Sequence, residues 1–243
     1  MSTKLPASQN SKTYFEQIPV EVVKKIARLD EAPGKAPGQT GAVPIKATSL
    51  RTRPKTDAGH FHGVQFYNDP DGLCRIVGGF IGEGLEQGAL AVVIATPDHT
   101  ARIVSCLQQR GIDVDALKRD GHLVTLNASD TLQLFMTDDG LPNPGAFRHT
   151  LGQILTDIRR GREHCTIRAY GEMVDLLWKD GREAAAIRLE TLWNQLGSTH
   201  DFALLCGYSM GNFYKGAALD EIKAQHSHLV DDEGDSAALR AAM

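Results

Sequence analysis

Two uninterrupted apolar stretches constrain this fold more than any other feature. Residues 89–95 read Ala-Leu-Ala-Val-Val-Ile-Ala, and residues 202–208 are almost wholly apolar as well. Neither alternates apolar with polar residues, so a strand built from either must be covered on both faces, as an interior parallel strand is. The surrounding pattern supplies the cover. A strand at residues 60–67 ends in the turn-forming Asn68-Asp69-Pro70-Asp71-Gly72, and Leu73, Ile76, Val77, Phe80, Ile81 and Leu85 then mark a helix. Thr96-Pro97 opens a second helix, with a capping residue and a first-turn proline, and Gly111 stops it. Residues 122–126 read as a third strand, and residues 127–144 as a long, less regular stretch. Phe147, Leu151, Ile154, Leu155 and Ile158 define another helix, closed near Gly161. A fourth strand at 165–170 runs into a turn or short helix at 171–178. A strong helix at 181–196 then leads to the last clear strand, at 202–208.

Strands separated by helices of this length connect compactly only through right-handed crossovers. The expected architecture is therefore α/β, a three-layer sandwich around a mostly parallel sheet. The domain occupies residues 58–230. Ahead of it, residues 31–54 carry four prolines and three glycines and read as a flexible linker. Upstream of the linker, between Tyr14 and Leu29, Ile18, Val22, Ile26 and Leu29 recur at helical spacing opposite Lys24, Lys25 and Arg28. An isolated helix this short is marginal in water, so it is expected to dock on the domain or on a partner. Residues 1–57 are thus a mostly flexible tail with one short amphipathic helix, and residues 231–243 a disordered tail.

Composition narrows the function classes. Of the 243 residues 42% are hydrophobic and the formal net charge is -4, so no general basic field points to nucleic acid or anionic lipid. No window approaches the ~18 apolar residues of a membrane span, and no signal-peptide pattern opens the chain. The chain reads as cytoplasmic. Cys74, Cys106, Cys165 and Cys206 form no CxxC pair and read as reduced and mostly buried.

Ligands of an open parallel sheet bind beyond the carboxyl ends of its strands. The first strand is followed there by two aspartates and a proline, which suit a phosphate poorly, and no GxxxxGK[ST] or GxGxxG follows any strand. Gly207-Tyr208-Ser209-Met210-Gly211 fits GxSxG, but only His226 and His228 lie downstream for a triad, so it reads as a turn and no residue is assigned a catalytic role. His60 and His62, with His226 and His228, form two HxH pairs. With no carboxylate or cysteine at ligand spacing they read as polar residues at element ends, and metal is a subsidiary reading. Glu172 directly follows the fourth strand, beside Tyr170. It reads either as a helix N-terminal acid or as a ligand-facing acceptor. With Tyr67, Asp69, Thr96, Trp178, Cys206 and Tyr208 it outlines a mostly apolar small-molecule pocket, for which no cofactor is expected.

Several segments together resemble a known family. They are His-Gly-Val-Gln-Phe-Tyr at 62–67, Phe-Ile-Gly-Glu-Gly-Leu-Glu-Gln-Gly at 80–88 and Val-Val-Ile-Ala-Thr-Pro-Asp-His at 92–99. Tyr-Gly-Glu-Met-Val-Asp-Leu-Leu-Trp at 170–178, Leu-Glu-Thr-Leu-Trp-Asn at 189–194, Leu-Leu-Cys-Gly-Tyr at 204–208 and the closing His226-Ser227-His228 follow in order. This set is similar to the MEDS family, a sensory domain of methanogens and methylotrophs. The resemblance implies a RecA/KaiC-like core without a phosphate-binding loop, and an input role beside histidine kinases or transcription regulators. It also implies small hydrocarbon-like ligands, since the eponymous member is part of a dichloromethane-responsive repressor. No kinase core or helix-turn-helix accompanies the module here. The expected function is a sensory module that binds a small ligand and signals through a partner protein, by way of the segment from Tyr14 to Leu29, or through a homo-oligomer. The alternatives are a nucleotide-binding enzyme with an atypical site, and a metal or redox sensor using Cys206, Cys74 and the histidines.

Overall fold

The structure, a computed structural model, describes residues 61–212 and 217–230. The expected helix between Tyr14 and Leu29, the linker, His60 and the tail after Val230 lie outside the described residues. Six strands form one sheet: β1 (His62–Tyr67), β2 (Leu90–Ala95), β3 (Leu123–Asn127), β4 (Ile167–Gly171), β5 (Ala203–Ser209) and β6 (His228–Val230). Every pairing is parallel, in the spatial order β3-β2-β4-β5-β1-β6. The apolar run at 89–95 becomes β2, held between β3 and β4 with all six residues buried. That is the double cover its composition demands.

Helices α1 (Pro70–Glu86), α2 (Pro97–Gln109) and α3 (Val114–Arg119) cover one face of the sheet. There Leu73, Val77, Phe80, Ile103 and Leu107 pack with Tyr67, Val93, Tyr170 and Leu205 of the strands. Helices α4 (Ala128–Gln133), α5 (Pro144–Arg159), α6 (Met173–Lys179), α7 (Glu183–Gly197) and α8 (Ala217–Gln225) cover the other face. Its centre is aromatic: Phe147 meets Phe135 and Trp193 edge-on, each at 5.2 Å between ring centroids. Such edge-to-face pairs contribute about 0.5–1.5 kcal/mol each beyond the area they bury.

Local signals set the boundaries. Asp69, Thr96 and Asn143 cap α1, α2 and α5, each with a proline in the first turn. Gly111 and Gly161 follow α2 and α5 at φ 81° and 73°, the left-handed conformation that ends a helix. The stretch at 127–144 is more ordered than expected. Asn127 caps α4 by accepting from the amides of Ser129 and Asp130, and Met136 bridges to Pro142. The sheet is wholly parallel, and α3, α8 and β6 add to the expected elements.

The strand order creates three crevices. The chain leaves β2 towards the α1–α3 face and both of its neighbours, β3 and β4, towards the opposite face; β1 and β5 diverge in the same way. Open parallel sheets bind ligands beyond the strand ends at such points.

Candidate functional site at the carboxyl edge of the sheet

Glu172 stands at the N-cap of α6 but makes no cap bond with its side chain. Its carboxylate turns across the β2–β4 crevice instead. One oxygen accepts the amide N–H of Thr96, the residue that caps α2. The other accepts from His99 Nδ1 at 2.6 Å and from the Tyr170 hydroxyl at 3.1 Å. Glu172 is only 2% exposed, and burial works to raise its carboxyl. The hydrogen bond from His99 and its charge overcome that, holding the group below the usual carboxylate value. His99 responds in the opposite sense, raised by the hydrogen bond to Glu172 against its own desolvation. The two shifts describe one buried imidazolium–carboxylate pair.

A second carboxylate serves the β1–β5 crevice. Asp175, one turn into α6, accepts the backbone N–H of Ser209 at 2.9 Å and the Tyr67 hydroxyl at 3.2 Å. Lys179 Nζ approaches it at 2.6 Å. The Tyr67 ring lies edge-on to His99 with centroids 6.0 Å apart, which joins the two halves. Burial first, then the neighbouring carboxylates, push the Tyr67 and Tyr170 hydroxyls well above their ordinary values. Burial and Glu172 likewise push the Cys74 thiol up to about 12. Both tyrosines are therefore neutral donors aimed at anions, and Cys74 is an unreactive thiol. Beside Thr96, an open groove of about 440 Å³ is lined by Ala95, Pro97, Thr100, Val104, Lys118 and Asn127.

Of the residues expected at one pocket, Tyr67, Thr96, Tyr170 and Glu172 come together here. Asp69 does not join them: it is exposed, and its carboxylate takes the amides of Asp71 and Gly72 at the start of α1. Trp178, Cys206 and Tyr208 lie on the opposite face. Strand parity is the reason: Tyr170 pairs in register with Leu205, so Cys206 and Tyr208 point to the other side of the sheet. Tyr208 donates to Glu190 Oε1 at 2.7 Å, with Trp178 edge-on to its ring at 6.1 Å.

Two of the four histidines meet on that second face. His62 and His226 stand 4.2 Å apart between ring centroids, against Glu190 and Cys206. Burial acts to raise the Glu190 carboxyl, and His226 and His62 hold it far below the carboxylate range. Burial and then Glu190 push the Cys206 thiol well up. His228 is elsewhere, stacked on Phe61 at 4.6 Å and paired with Ser227. His60 lies outside the described residues. Sequence reasoning missed His99, Asp175, Lys179 and Glu190. His99 and Asp175 each had a signal, a titratable side chain in the first turn after a strand's carboxyl end. Glu190 had another: a lone acid on the inward stripe of Ala186, Leu189 and Trp193.

The family model described as MEDS, "MEthanogen/methylotroph, DcmR Sensory domain", matches residues 61–227. No curated protein matches the chain.

Proposed function

Because this chain belongs to the MEDS family of sensory domains, we propose that it is a non-catalytic sensory module of bacterial or archaeal signal transduction that binds a small ligand at the carboxyl edge of its sheet. The observation that carries this reading is the Glu172–His99–Tyr170 cluster, coupled through Tyr67 to Asp175, at two of the points where strand connections diverge. A small polar or halogenated hydrocarbon that reaches this buried cluster meets two neutral tyrosine hydroxyls and an ion pair. It can bind only by exchanging some of those bonds for its own, and the exchange reorients α2 and α6, whose first turns supply the partners.

A nucleotide fits this edge less well. The first amides of α1, which would cradle a phosphate, are already taken by the Asp69 carboxylate, and a second anion there meets repulsion. The output runs through a partner protein, a histidine kinase or a transcription regulator, contacted by the segment from Tyr14 to Leu29. The compartment is the cytoplasm; among the described residues no helix is long and apolar enough to cross a membrane.

The test is a thermal-shift screen of the full-length chain against short alcohols, haloalkanes and carboxylic acids, repeated with Glu172→Gln. A compound that stabilises the parent chain and not the variant supports the reading. Tight binding of ATP with magnesium, with no response to the small compounds, overturns it in favour of a nucleotide site. A pull-down with and without residues 1–57 tests the output: a truncated chain that keeps every partner removes the tail from the model.

A further inference from the structure

The carboxyl-edge site leaves unexplained a fully buried carboxylate on the opposite face of the sheet. Glu190 lies on α7 with no exposed surface, facing His62 of β1, Cys206 of β5 and His226, which follows α8. Four donor atoms, one from each residue, lie within 4.8 Å of one another. His62 Nε2 is 3.3 Å from Glu190 Oε2 and 3.4 Å from Cys206 Sγ. Cys206 Sγ is 3.6 Å from Glu190 Oε2, and His226 Nε2 is 3.4 Å from Glu190 Oε1. For a tetrahedral metal with bonds of ~2.0–2.1 Å to nitrogen or oxygen and ~2.3 Å to sulfur, the edges are about 3.3 Å between N and O and about 3.6 Å to S. The three separations among His62 Nε2, Glu190 Oε2 and Cys206 Sγ are close to those edges, and His226 Nε2 stands beside the other carboxylate oxygen, so that a small inward shift closes the set on one ion.

The tautomers point the same way. Asn194 Nδ2 donates to the Gln225 carbonyl at 2.8 Å, which fixes the amide so that its Oδ1 faces His62 Nδ1 at 2.9 Å. His62 Nδ1 therefore carries the proton. His226 Nδ1 donates to the Ile222 carbonyl at 2.7 Å. Both rings thus turn Nε2 towards the carboxylate, and His226 Nε2, buried 3.4 Å from Glu190 Oε1, makes no hydrogen bond of proper geometry. Holding Nδ1 with a carbonyl or amide oxygen so that Nε2 is free to ligate is how proteins orient metal-binding histidines.

We propose that His62, Glu190, Cys206 and His226 form a closed binding site for a divalent transition metal of the zinc type. Binding displaces the thiol proton, and any proton on the two Nε2 atoms, to solvent; the dication is then balanced by one thiolate and one carboxylate, so the buried centre is neutral. Two imidazoles and a thiolate favour zinc over magnesium or calcium. With four protein ligands no position stays open for water or substrate, so the metal holds structure rather than activating a reaction. It ties β1, where the chain enters the domain, to the α8–β6 segment, where it leaves.

The experiment uses the full-length chain free of any affinity tag. Metal analysis is expected to give about one zinc per chain. After stripping with a chelator, cobalt(II) gives tetrahedral d–d bands and a thiolate-to-cobalt charge-transfer band, saturating at about one equivalent. Cys206→Ser abolishes the charge-transfer band. Asn194→Ala, which frees the His62 ring, weakens binding by about 10–100-fold. His228→Ala, outside the cluster, leaves the titration unchanged. A stripped chain that keeps its far-ultraviolet circular dichroism yet shows no cobalt bands overturns the proposal without recourse to any variant. So does a charge-transfer band that survives Cys206→Ser.

Discussion

Removing the Glu172 carboxylate tests the carboxyl-edge site most directly. Glu172→Ala leaves the Thr96 amide, the Tyr170 hydroxyl and His99 Nδ1 without their acceptor, in a place where the lost carboxylate was 2% exposed. Each orphaned buried donor costs about 1–3 kcal/mol, and His99 reduces its share by losing its proton, so the total is about 3–5 kcal/mol. Glu172→Gln keeps one acceptor and the packing, and costs about 1–2 kcal/mol. The variant also carries a pH signature. His99 is raised above its ordinary 6.5 by Glu172, so its stabilising share is complete below that value and is lost as pH rises through the raised one. Glu172 is lowered from 4.5, so its share is present above that value and is lost as pH falls through the depressed one. The pair therefore contributes most between pH 4.5 and 6.5. Urea unfolding followed by circular dichroism near pH 6 and near pH 8 reads both effects. The destabilisation by Glu172→Gln should shrink at the higher pH. A cost that is equal at both pH values, or a Glu172→Ala cost below about 1 kcal/mol, refutes the pairing.

Gly207→Ala reaches the same network from behind. A Cβ at Gly207 stands 2.7 Å from the Tyr170 hydroxyl, so the ring must leave Glu172; a loss of about 1–3 kcal/mol is expected, read as a lower melting temperature. Trp193→Ala opens a hole beside Phe147 and Phe202 in the opposite layer and costs about 3–5 kcal/mol by urea titration. A chromogenic disulfide reagent should modify the half-buried Cys106 and Cys165 in the native protein. Cys74 and Cys206, both buried, should react only on unfolding, and equal rates for all four thiols would contradict the packing described.

Much of the fold was legible because its signals are local. The apolar run of β2, the cap-plus-proline starts of α1, α2 and α5, and the glycines that end helices each declare themselves within a few residues. What escaped were short pieces that periodicity shows poorly: α3 and α4 of six residues each, α8 of nine and β6 of three. The site was half legible. Glu172 was visible because a charge directly after an apolar strand must sit at the sheet's edge. Its partner His99 lies 73 residues away, and only strand order brings them together. Cys206 and Tyr208 share one face of β5, as alternation requires, but which face depends on register with β4, and register is a property of the assembled sheet.

That strand order also governs how the protein is made. β1 lies between β5 and β6, and the bond from the His62 amide to Ser227 Oγ spans 165 residues. At about 5–20 residues per second, a ribosome needs roughly ten to thirty seconds to deliver the strands that flank β1. Throughout that interval β1 has both edges bare and apolar side chains on show, a template for association with neighbouring nascent chains. The sheet can close only once the last-made strands arrive. Yield in the cell should therefore depend on whatever shields the first strand during synthesis more than on the stability of the finished domain.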